Sequence, residues 1–488
     1  MGCTVNTRFR KKPNNDFISD IKAVKIDPSL FIQENKKKFQ EVYRIAQNLG
    51  TGTFGDVKTC FHRETGHKRA VKLFKKELMH NETEKSMLLK EVSILKTLDH
   101  PNIIRTYEFF EDLKRFYLVL EYCSGGELFT EILKRQSFSE QDAARIFFQI
   151  VSAVCYLHGL GIVHGDLNPE NILLEDRRES LSIKLADFGS ALKNTEKNEK
   201  GLKIGKSYYL APEVYDGICN EMSDMWSCGV ILYILLCGHP PFDGENDEQI
   251  VSLVRRSRLT MDGRIWEKVS LEAKDLISHL ICHSSNRLPA AQVLKHAWIH
   301  ENLESKVTGF EIQGALDNLR TFHAPNKLKD AVITFITSQC SSFKETKELK
   351  EIFLELDKNG DGKLSRQELF DSFKFNMGEA EAELEVERIM NEVDSDNSGF
   401  IDYTEFLKAN LDVKTLFSEQ NLKAAFAVFD CDGSGKISAE EIRKIFYGGK
   451  ESDEKVWKEI VENIDANGDG EIDLEEFKDL VYTKVRVN

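Results

Sequence analysis

The residues best suited to chemistry lie in one short segment near the middle of the chain, residues 164–171, with the sequence HGDLNPEN. Asp166 could accept the proton of an attacking hydroxyl group. Asn171, five residues further on, could turn back to hold a magnesium ion, so that one loop supplies both a base and a metal ligand for phosphoryl transfer. An eight-residue pattern has limited specificity by itself. The interpretation of this segment therefore depends on the other segments of the chain that would have to position it.

Two segments upstream have the residue types that bind nucleotides. Residues 50–57 (GTGTFGDV) follow an apolar-alternating stretch, 43–49. A GxGxxG pattern alone could be a dinucleotide loop or a simple turn. The valine that ends it and the later sequence Ala70-Val71-Lys72 favour a β-hairpin over the phosphates of ATP, to which Lys72 supplies a cation. Glu91, in a predicted helix over 84–98, is placed to pair with Lys72, the alternative being a solvated helix carboxylate.

Further motifs follow in order up to residue 287. They are Asp187-Phe188-Gly189, Ala211-Pro212-Glu213, the group Asp224, Trp226 and Gly229, and finally Arg287, placed to pair with Glu213. Each of these residues could be an ordinary core residue. Their joint order resembles the eukaryotic-type protein kinases and predicts a bilobal kinase domain over residues 43–299.

The resemblance to protein kinases implies an ATP site between the two lobes. Leu120 is the expected gatekeeper, and residues 121–123 are the expected hinge that hydrogen-bonds adenine. The residues expected to bind ATP are Leu49, Gly50, Gly52, Gly55, Val57, Ala70, Lys72, Leu120, Glu121, Cys123 and Glu127. The residues expected to act in catalysis are Asp166 as base, Lys72 and Glu91 on the phosphates, Asn171 and Asp187 on Mg²⁺, and Lys206.

Two acidic residues predict the substrate preference. Glu127 and Glu170 match the positions that, in basophilic kinases, receive a basic residue N-terminal to the phosphorylated one. A carboxylate pair suits that role because charge-assisted hydrogen bonds are strong. Glu127 could instead bind the ribose of ATP. The expected partners are therefore protein substrates with basic residues near the acceptor.

Three residues depart from the kinase pattern. Gly165 stands where arginine usually receives an activation-loop phosphate, which predicts activity without phosphorylation at Ser190, Thr195 or Ser207. Asn168 stands where a lysine usually contacts the transferred phosphate, and Lys206 replaces a threonine that faces it. We interpret this exchange as compensation, with Lys206 supplying the cation that Asn168 cannot. An uncompensated loss would leave a weak enzyme or a calcium-sensing pseudokinase scaffold.

The C-terminal third is acidic and repetitive. Residues 341–488 contain 36 acidic and 20 basic residues, a net charge of −16, while the rest of the chain carries +1. Four twelve-residue loops begin at Asp357, Asp394, Asp430 and Asp465, at intervals of 37, 36 and 35 residues. Each has oxygen ligands at alternate positions, glycine at position 6, Leu or Ile at position 8 and glutamate at position 12, the pattern of an EF-hand calcium loop.

The four loops predict four Ca²⁺ sites arranged as two paired lobes, because each loop retains its full ligand pattern. The ligands expected at positions 1, 3, 5, 7 and 12 are Asp357, Asn359, Asp361, Lys363 and Glu368; Asp394, Asp396, Ser398, Phe400 and Glu405; Asp430, Asp432, Ser434, Lys436 and Glu441; and Asp465, Asn467, Asp469, Glu471 and Glu476. The position-8 residues Leu364, Ile401, Ile437 and Ile472 should pair in short strands. Phe353, Phe406, Phe426, Phe429 and Phe477 are expected in the lobe cores.

A helix between the two parts has one apolar face. Leu328, Ala331, Val332, Phe335 and Ile336 recur at helical spacing, with Lys327, Lys329 and Asp330 off that face. A packed linker helix is one interpretation. The functional interpretation is a regulatory helix whose apolar face a Ca²⁺-loaded lobe binds.

Kinase, amphipathic junction and four EF-hands in this order resemble the calcium-dependent protein kinases of plants and apicomplexan parasites. The resemblance implies an α+β chain, with a bilobal kinase fold followed by an all-α calmodulin-like domain, that uses ATP, Mg²⁺ and Ca²⁺. It implies a Ser/Thr kinase held inactive by its junction until Ca²⁺ binds. The predicted segments are an N-terminal segment 1–42, the kinase domain 43–299, the junction 300–345, lobe 1 at 346–412 and lobe 2 at 413–488.

Composition and termini bear on the location of the protein. The ten cysteines include no C-x-x-C pair and indicate a reducing cytosol. The sequence has no long apolar span or signal peptide and no basic patch suited to nucleic acid. Gly2 and Cys3 are candidate myristoyl and palmitoyl acceptors beside a basic group at residues 8–12, although Asn6 departs from the acylation pattern. We expect a cytoplasmic protein held at a membrane surface by acylation, the alternative being a disordered tail.

Overall fold

The structure is a computed structural model. It describes residues 25–32, 35, 37–52, 55–79, 82–177, 181–193, 206–303, 307–323, 327–341, 343–411, 417–447, 454–462 and 464–482. The candidate acylation sites Gly2 and Cys3, and the candidate phosphorylation site Thr195, lie outside these residues. No helix in the described part of the chain is long and apolar enough to cross a membrane.

The first lobe of the kinase part is built on one antiparallel sheet of order β1-β2-β3-β5-β4. The strands are β1 Tyr43–Gly52, β2 Gly55–His62, β3 Lys68–Lys75, β4 Thr106–Glu111 and β5 Arg115–Leu120, with helix α1 Phe39–Val42 before them and helix α2 Glu82–Lys96 after β3. Alternating residues such as Val71 and Val119 pack with Phe39 in one core. Leu88 and Val92 of α2 belong to a second core with Leu118. Helix α2 begins and ends two residues earlier than predicted.

The second lobe is mainly helical. Its helices are α3 Leu128–Arg135, α4 Glu140–Gly159, α5 Glu221–Cys237, α6 Asp247–Arg256, α7 Leu271–Leu280, α8 Ala290–Val293 and α9 Ala297–Asn302. Short strands β6 Gly126–Glu127, β7 Ile162–Val163, β8 Ile172–Leu174, β9 Ile183–Leu185 and β10 Leu192–Lys193 pair in the orders β6-β8-β9 and β10-β7. Helix α5 is buried over nearly its whole length. It is followed by Gly238, whose φ of 85° favours glycine and where a Cβ would lie 1.9 Å from the Gln136 carbonyl oxygen.

Two EF-hand lobes follow, each with its own apolar core. Lobe 1 contains α12 Phe343–Leu356, β11 Leu364–Ser365, α13 Arg366–Met377, α14 Glu379–Val393, β12 Phe400–Ile401 and α15 Tyr403–Asn410. Lobe 2 contains α16 Glu419–Phe429, β13 Lys436–Ile437, α17 Ala439–Tyr447, α18 Glu454–Glu462, β14 Ile472–Asp473 and α19 Leu474–Tyr482. As predicted, the position-8 residues pair, Leu364 with Ile401 and Ile437 with Ile472. The α+β fold class is confirmed.

The junction contributes two helices, α10 Gly309–Thr321 and α11 Lys327–Cys340, whose apolar residues lie in the cores of different lobes. Helix α10 packs on α12, α14 and α15 and places Leu316 and Leu319 in the core of lobe 1. Helix α11 packs on α15, α16 and α19 and places Phe335 and Ile336 in the core of lobe 2. The apolar face predicted for α11 is therefore bound by an EF-hand lobe.

Two of the residues predicted to lie off the apolar face of α11 are also buried. Lys329 and Asp330 are both 5% exposed. The Lys329 ammonium donates to the Val481 carbonyl in lobe 2 at 2.7 Å, and Asp330 pairs with Lys408 of lobe 1. The helical wheel suggested a single buried face, but lobes on both sides of the helix enclose it.

Candidate active site and calcium sites

Lys72 joins the two lobes at the bottom of the cleft. Its Nζ lies 2.9 Å from Glu91 Oε1 on α2 and 2.9 Å from Asp187 Oδ1 at the start of the DFG motif. Burial opposes the charged form, but the two carboxylates outweigh it and raise the pKa of Lys72. Phe188 is buried, with its ring centroid 4.9 Å from that of His164. The contact between Lys72, Glu91 and Asp187 therefore brings together the residues predicted to orient ATP and Mg²⁺.

Asp166 is held by two amides from its own loop. Asn168 Nδ2 donates to Asp166 Oδ1 at 3.0 Å, and Asn171 Nδ2 donates to Asp166 Oδ2 at 3.0 Å. Burial raises the pKa of the Asp166 carboxyl, and His164 and these two amides act in the opposite direction. Asn168 is only 1% exposed, and its Oδ1 accepts from the backbone N–H groups of Glu170 and Asn171. The sequence interpretation treated Asn168 as a lost cation and missed this orienting role.

The orienting role of Asn168 leads to a testable expectation. Replacing Asn168 with alanine should lower kcat by roughly 10- to 150-fold, because a lost hydrogen bond to a charged group costs about 1.5–3 kcal/mol and leaves Asp166 free to turn. Steady-state kinetics at saturating ATP and peptide measure the effect. Asn286→Ala, at an exposed position in a short turn of the second lobe, is the control. A kcat equal to that of the unaltered chain would show that Asn171 alone orients Asp166.

The glycine at position 165 has a backbone reason. Its φ is 77°, in the left-handed region that glycine adopts without strain. Its N–H donates to Asp224 Oδ1 at 3.0 Å, while the N–H of His164 donates to Asp224 Oδ2 at 2.9 Å. The sequence indicated Asp224 only as part of a motif. In the structure, Asp224 lies on α5 and fixes the backbone of the catalytic loop at His164 and Gly165.

Lys206 lies beside the predicted acidic pair. Its ammonium forms an ion pair with the Glu170 carboxylate, and both side chains are partly exposed. Burial and the charge of Glu170 raise the pKa of Glu127, and Lys206 lowers it, so the three charges act on one another. The expected action of Lys206 near the γ-phosphate stays a prediction, because its ion pair is with Glu170.

Two of the predicted ATP residues are neighbours in the sheet of the first lobe. Ala70 on β3 pairs across the sheet with Leu120, directly before the hinge. Gly55 must be glycine, because a Cβ would lie 1.7 Å from the Leu73 carbonyl oxygen. The Glu121 carboxylate turns away from the cleft: it lies 3.1 Å from Lys184 Nζ and accepts from the N–H of Arg105 at 3.2 Å. Only the backbone of Glu121 can therefore serve adenine.

Loops 2 and 3 each bring three predicted ligands together. Oxygens of Asp394, Asp396 and Glu405 lie within 4.8 Å of one another, as do those of Asp430, Asp432 and Glu441. In both loops the N–H of the position-6 glycine donates to the first aspartate at 2.9 Å. Burial raises the pKa of Glu405 well above its usual value. A bound cation would relieve this clustering of carboxylates, so the donor sets fit Ca²⁺.

Loops 1 and 4 have the same turn geometry. The Gly362 and Gly470 N–H groups each donate at 2.7 Å to Oδ2 of the first aspartate, Asp357 and Asp465. The position-12 glutamates accept from backbone N–H groups of their own loops, as Glu368 does from Asn359. Burial, followed by the charge of Asp361, raises the pKa of Asp357 to about 8. All four loops therefore have the local conformation of the predicted calcium loop.

Lobe 1 contacts the kinase part through polar groups. These contacts could not be predicted from the sequence. Lys350 of α12 lies 2.7 Å from Glu175 Oε2, whose other oxygen lies 3.4 Å from Lys184. The Thr404 N–H donates to Asp99 at 2.8 Å. In loop 1, a Cβ on Gly362 would lie 2.3 Å from the His100 ring. These partners are far apart in sequence, and no local pattern connects them.

Comparisons with known proteins match both parts of the chain. A family model described as the protein kinase domain matches residues 43–299, and one for an EF-hand domain pair matches residues 346–409 and 419–482. The chain is 42% identical to calcium-dependent protein kinase 4 of Plasmodium falciparum (isolate 3D7) over 474 residues, which cover 94% of this chain and 89% of that relative. It is 39% identical to calcium-dependent protein kinase 5 of the same organism over 463 residues, covering 92% and 80%. It is 36% identical to calcium-dependent protein kinase 3 of Plasmodium berghei (strain Anka) over 468 residues, covering 93% and 82%. The similarity therefore runs through nearly the whole chain.

Proposed function

The chain belongs to the family of calcium-dependent protein kinases, and on that premise we propose that it transfers the γ-phosphate of ATP to Ser or Thr of proteins when Ca²⁺ binds its EF-hands. One observation supports this most strongly. Lys72, Glu91 and Asp187 are in contact beside an Asp166 carboxylate held by two amides. A calcium-sensing pseudokinase scaffold, suggested by Gly165, Asn168 and Lys206, is not supported, since these contacts are intact and the relatives are kinases.

Each catalytic side chain has a role that follows from its contacts. Bound ATP would supply the phosphoryl group, and Mg²⁺ would neutralise the charge that develops during its transfer. Asp166 would accept the hydroxyl proton of the substrate. The Asn171 Nδ2 group donates a hydrogen bond to Asp166. The Oδ1 atom of Asn171 is therefore the one that would face a metal, together with the Asp187 carboxylate. Lys72, fixed by Glu91, would hold the α and β phosphates.

We assign Ca²⁺ sites to all four EF-hand loops. The turn geometry shared by the four loops supports this number, and the acidic clusters in loops 2 and 3 give it the strongest support. We infer that Ca²⁺ binds more tightly to the arrangement in which the lobes hold α10 and α11. This difference in affinity is needed, because only a difference in affinity between two arrangements can shift their populations. Calorimetric titration of the metal-free chain should give four bound ions per chain, and three or fewer would refute the count.

Substrate choice would depend on the acidic pair. Glu127 and Glu170 would bind a basic residue N-terminal to the acceptor, and Lys206 would have to leave Glu170 for this to happen. A peptide panel that varies the acceptor among Ser, Thr and Tyr, with and without an upstream arginine, tests both points. Transfer to Ser and Thr peptides with a preference for arginine supports the proposal, and transfer to Tyr alone would refute it.

Membrane attachment through Gly2 and Cys3 remains part of the proposal on sequence grounds. One acyl chain binds membranes marginally, and a second chain or a basic group makes attachment durable. Co-flotation of the expressed protein with membranes, lost in Gly2→Ala, would support it. Equal flotation of both forms would argue against it.

A further inference from the structure

A buried ion pair connects the regulatory helix α11 to the second EF-hand. Lys408 Nζ lies 2.9 Å from Asp330 Oδ1, and the two side chains are 0% and 7% exposed. Asp330 belongs to α11, while Lys408 follows Glu405, the last predicted ligand of loop 2, by three residues. Lys408 also attracts the Glu405 carboxylate electrostatically. One buried ammonium is therefore placed between a calcium ligand and the regulatory helix.

Ser395, at position 2 of the same loop, strengthens this connection. Its hydroxyl accepts from Lys408, and its N–H donates to Glu405 Oε1 at 2.6 Å. Its carbonyl accepts from Lys327, at the start of α11, at 3.4 Å. The same carbonyl accepts from the N–H of Ile26, in the segment before the kinase domain, at 3.3 Å. Loop 2 therefore touches the helix through its backbone as well as through Lys408.

The corresponding lysine of the third hand differs. Lys444 also follows its last predicted ligand by three residues. It is mostly exposed, and in the described part of the chain its ion pair, at 3.5 Å, is with Glu440 of its own helix, which is itself exposed. The buried arrangement of Lys408 is therefore not a general consequence of that position in an EF-hand.

We propose that the Asp330–Lys408 ion pair is the contact through which calcium occupancy of the second EF-hand controls the binding of the regulatory helix α11. This inference rests on the proposed calcium-activated function and names the hand and the residues that would transmit the signal. We call this contact the junction ion pair.

The electrostatics of the loop give the reason. When the Glu405 carboxylate is uncompensated, it competes with Asp330 for the Lys408 ammonium. Neutralisation of Glu405 by a divalent cation that it shares with Asp394 and Asp396 ends the competition and leaves Lys408 to Asp330. The low exposure of the pair makes this exchange effective, because buried charges are poorly screened.

Hydrogen exchange of the full chain tests the proposal without relying on catalysis. The quantity measured is the protection of α11 amides at saturating Ca²⁺ divided by their protection in chelator. We expect Lys408→Met to lower this ratio roughly tenfold, within the usual range for coupling between two sites. The free Ca²⁺ concentration for half-maximal phosphotransfer should rise by a similar factor. Lys444→Met, the matched control, should leave both quantities within about twofold of the unaltered chain.

A double variant covers the case in which one unpaired buried charge prevents folding. Asp330→Asn with Lys408→Met removes both charges and should also lower the protection ratio. An unchanged ratio in the double variant would overturn the proposal. If the unaltered chain transfers no phosphate but α11 still gains protection with Ca²⁺, the proposed function fails while the role of the junction ion pair is still tested.

Discussion

Replacing Asp166 with asparagine is expected to lower kcat for peptide phosphorylation by roughly 10²–10⁴-fold, the range for loss of a general base. The side chain keeps its size, and its single carbonyl oxygen can still accept from one of the amides of Asn168 and Asn171, so the loop should keep its general shape. ATP binding should persist, because Lys72 and Glu91 are unaltered. Initial rates at saturating Ca²⁺, ATP and peptide measure the effect.

The control for Asp166→Asn is a chemically identical change elsewhere in the same lobe. Asp216 pairs with Arg255 at 2.7 Å, and its side chain is 59% exposed. Asp216→Asn should leave kcat unaltered. A loss of less than tenfold in Asp166→Asn would contradict the assignment of Asp166 as the base.

Replacing Arg287 with alanine is expected to destabilise the kinase domain by about 3–5 kcal/mol, the usual cost of breaking a buried ion pair from one side. The Arg287 side chain is fully buried and lies 2.6 Å from Glu213 Oε1. It also donates to the backbone carbonyls of Met222 and Cys282. Alanine would leave Glu213 and these carbonyls without those donors.

Thermal unfolding measures this loss, and Arg255→Ala is its matched control. The ion pair of Arg255 with Asp216 is about half exposed on both sides, and such pairs contribute about 0–1 kcal/mol. The melting temperature of the kinase domain should therefore fall much further in Arg287→Ala. Equal melting temperatures for the two variants would contradict the structural role of the buried pair.

Sequence reasoning succeeded where chemistry fixes the spacing of residues. The contact of Lys72 with Glu91 and Asp187 could be predicted, because phosphate and metal chemistry require those residue types in those motifs. The strand pairing of Leu364 with Ile401 could be predicted from the repeat of the calcium loops. In both cases a local pattern carries the information.

Sequence reasoning failed where distant segments meet. The contact of Lys350 with Glu175 joins residues 175 positions apart, and neither residue stands in a motif. Burial of Asp330 depends on lobe 1 and lobe 2 enclosing α11 together, which a helical periodicity cannot reveal. The role of Asn168 was missed because comparison with the usual lysine drew attention to a lost charge and away from a gained amide.

The most direct test of the whole account is radiolabelled phosphate transfer from ATP to a basic Ser/Thr peptide, measured with Ca²⁺ and with a calcium chelator. The unaltered chain should transfer phosphate with Ca²⁺ and lose nearly all activity in chelator, while Asp166→Asn should be almost silent in both. A chain as silent as Asp166→Asn at saturating Ca²⁺ would contradict the enzyme assignment. Equal activity with and without Ca²⁺ would contradict the calcium switch.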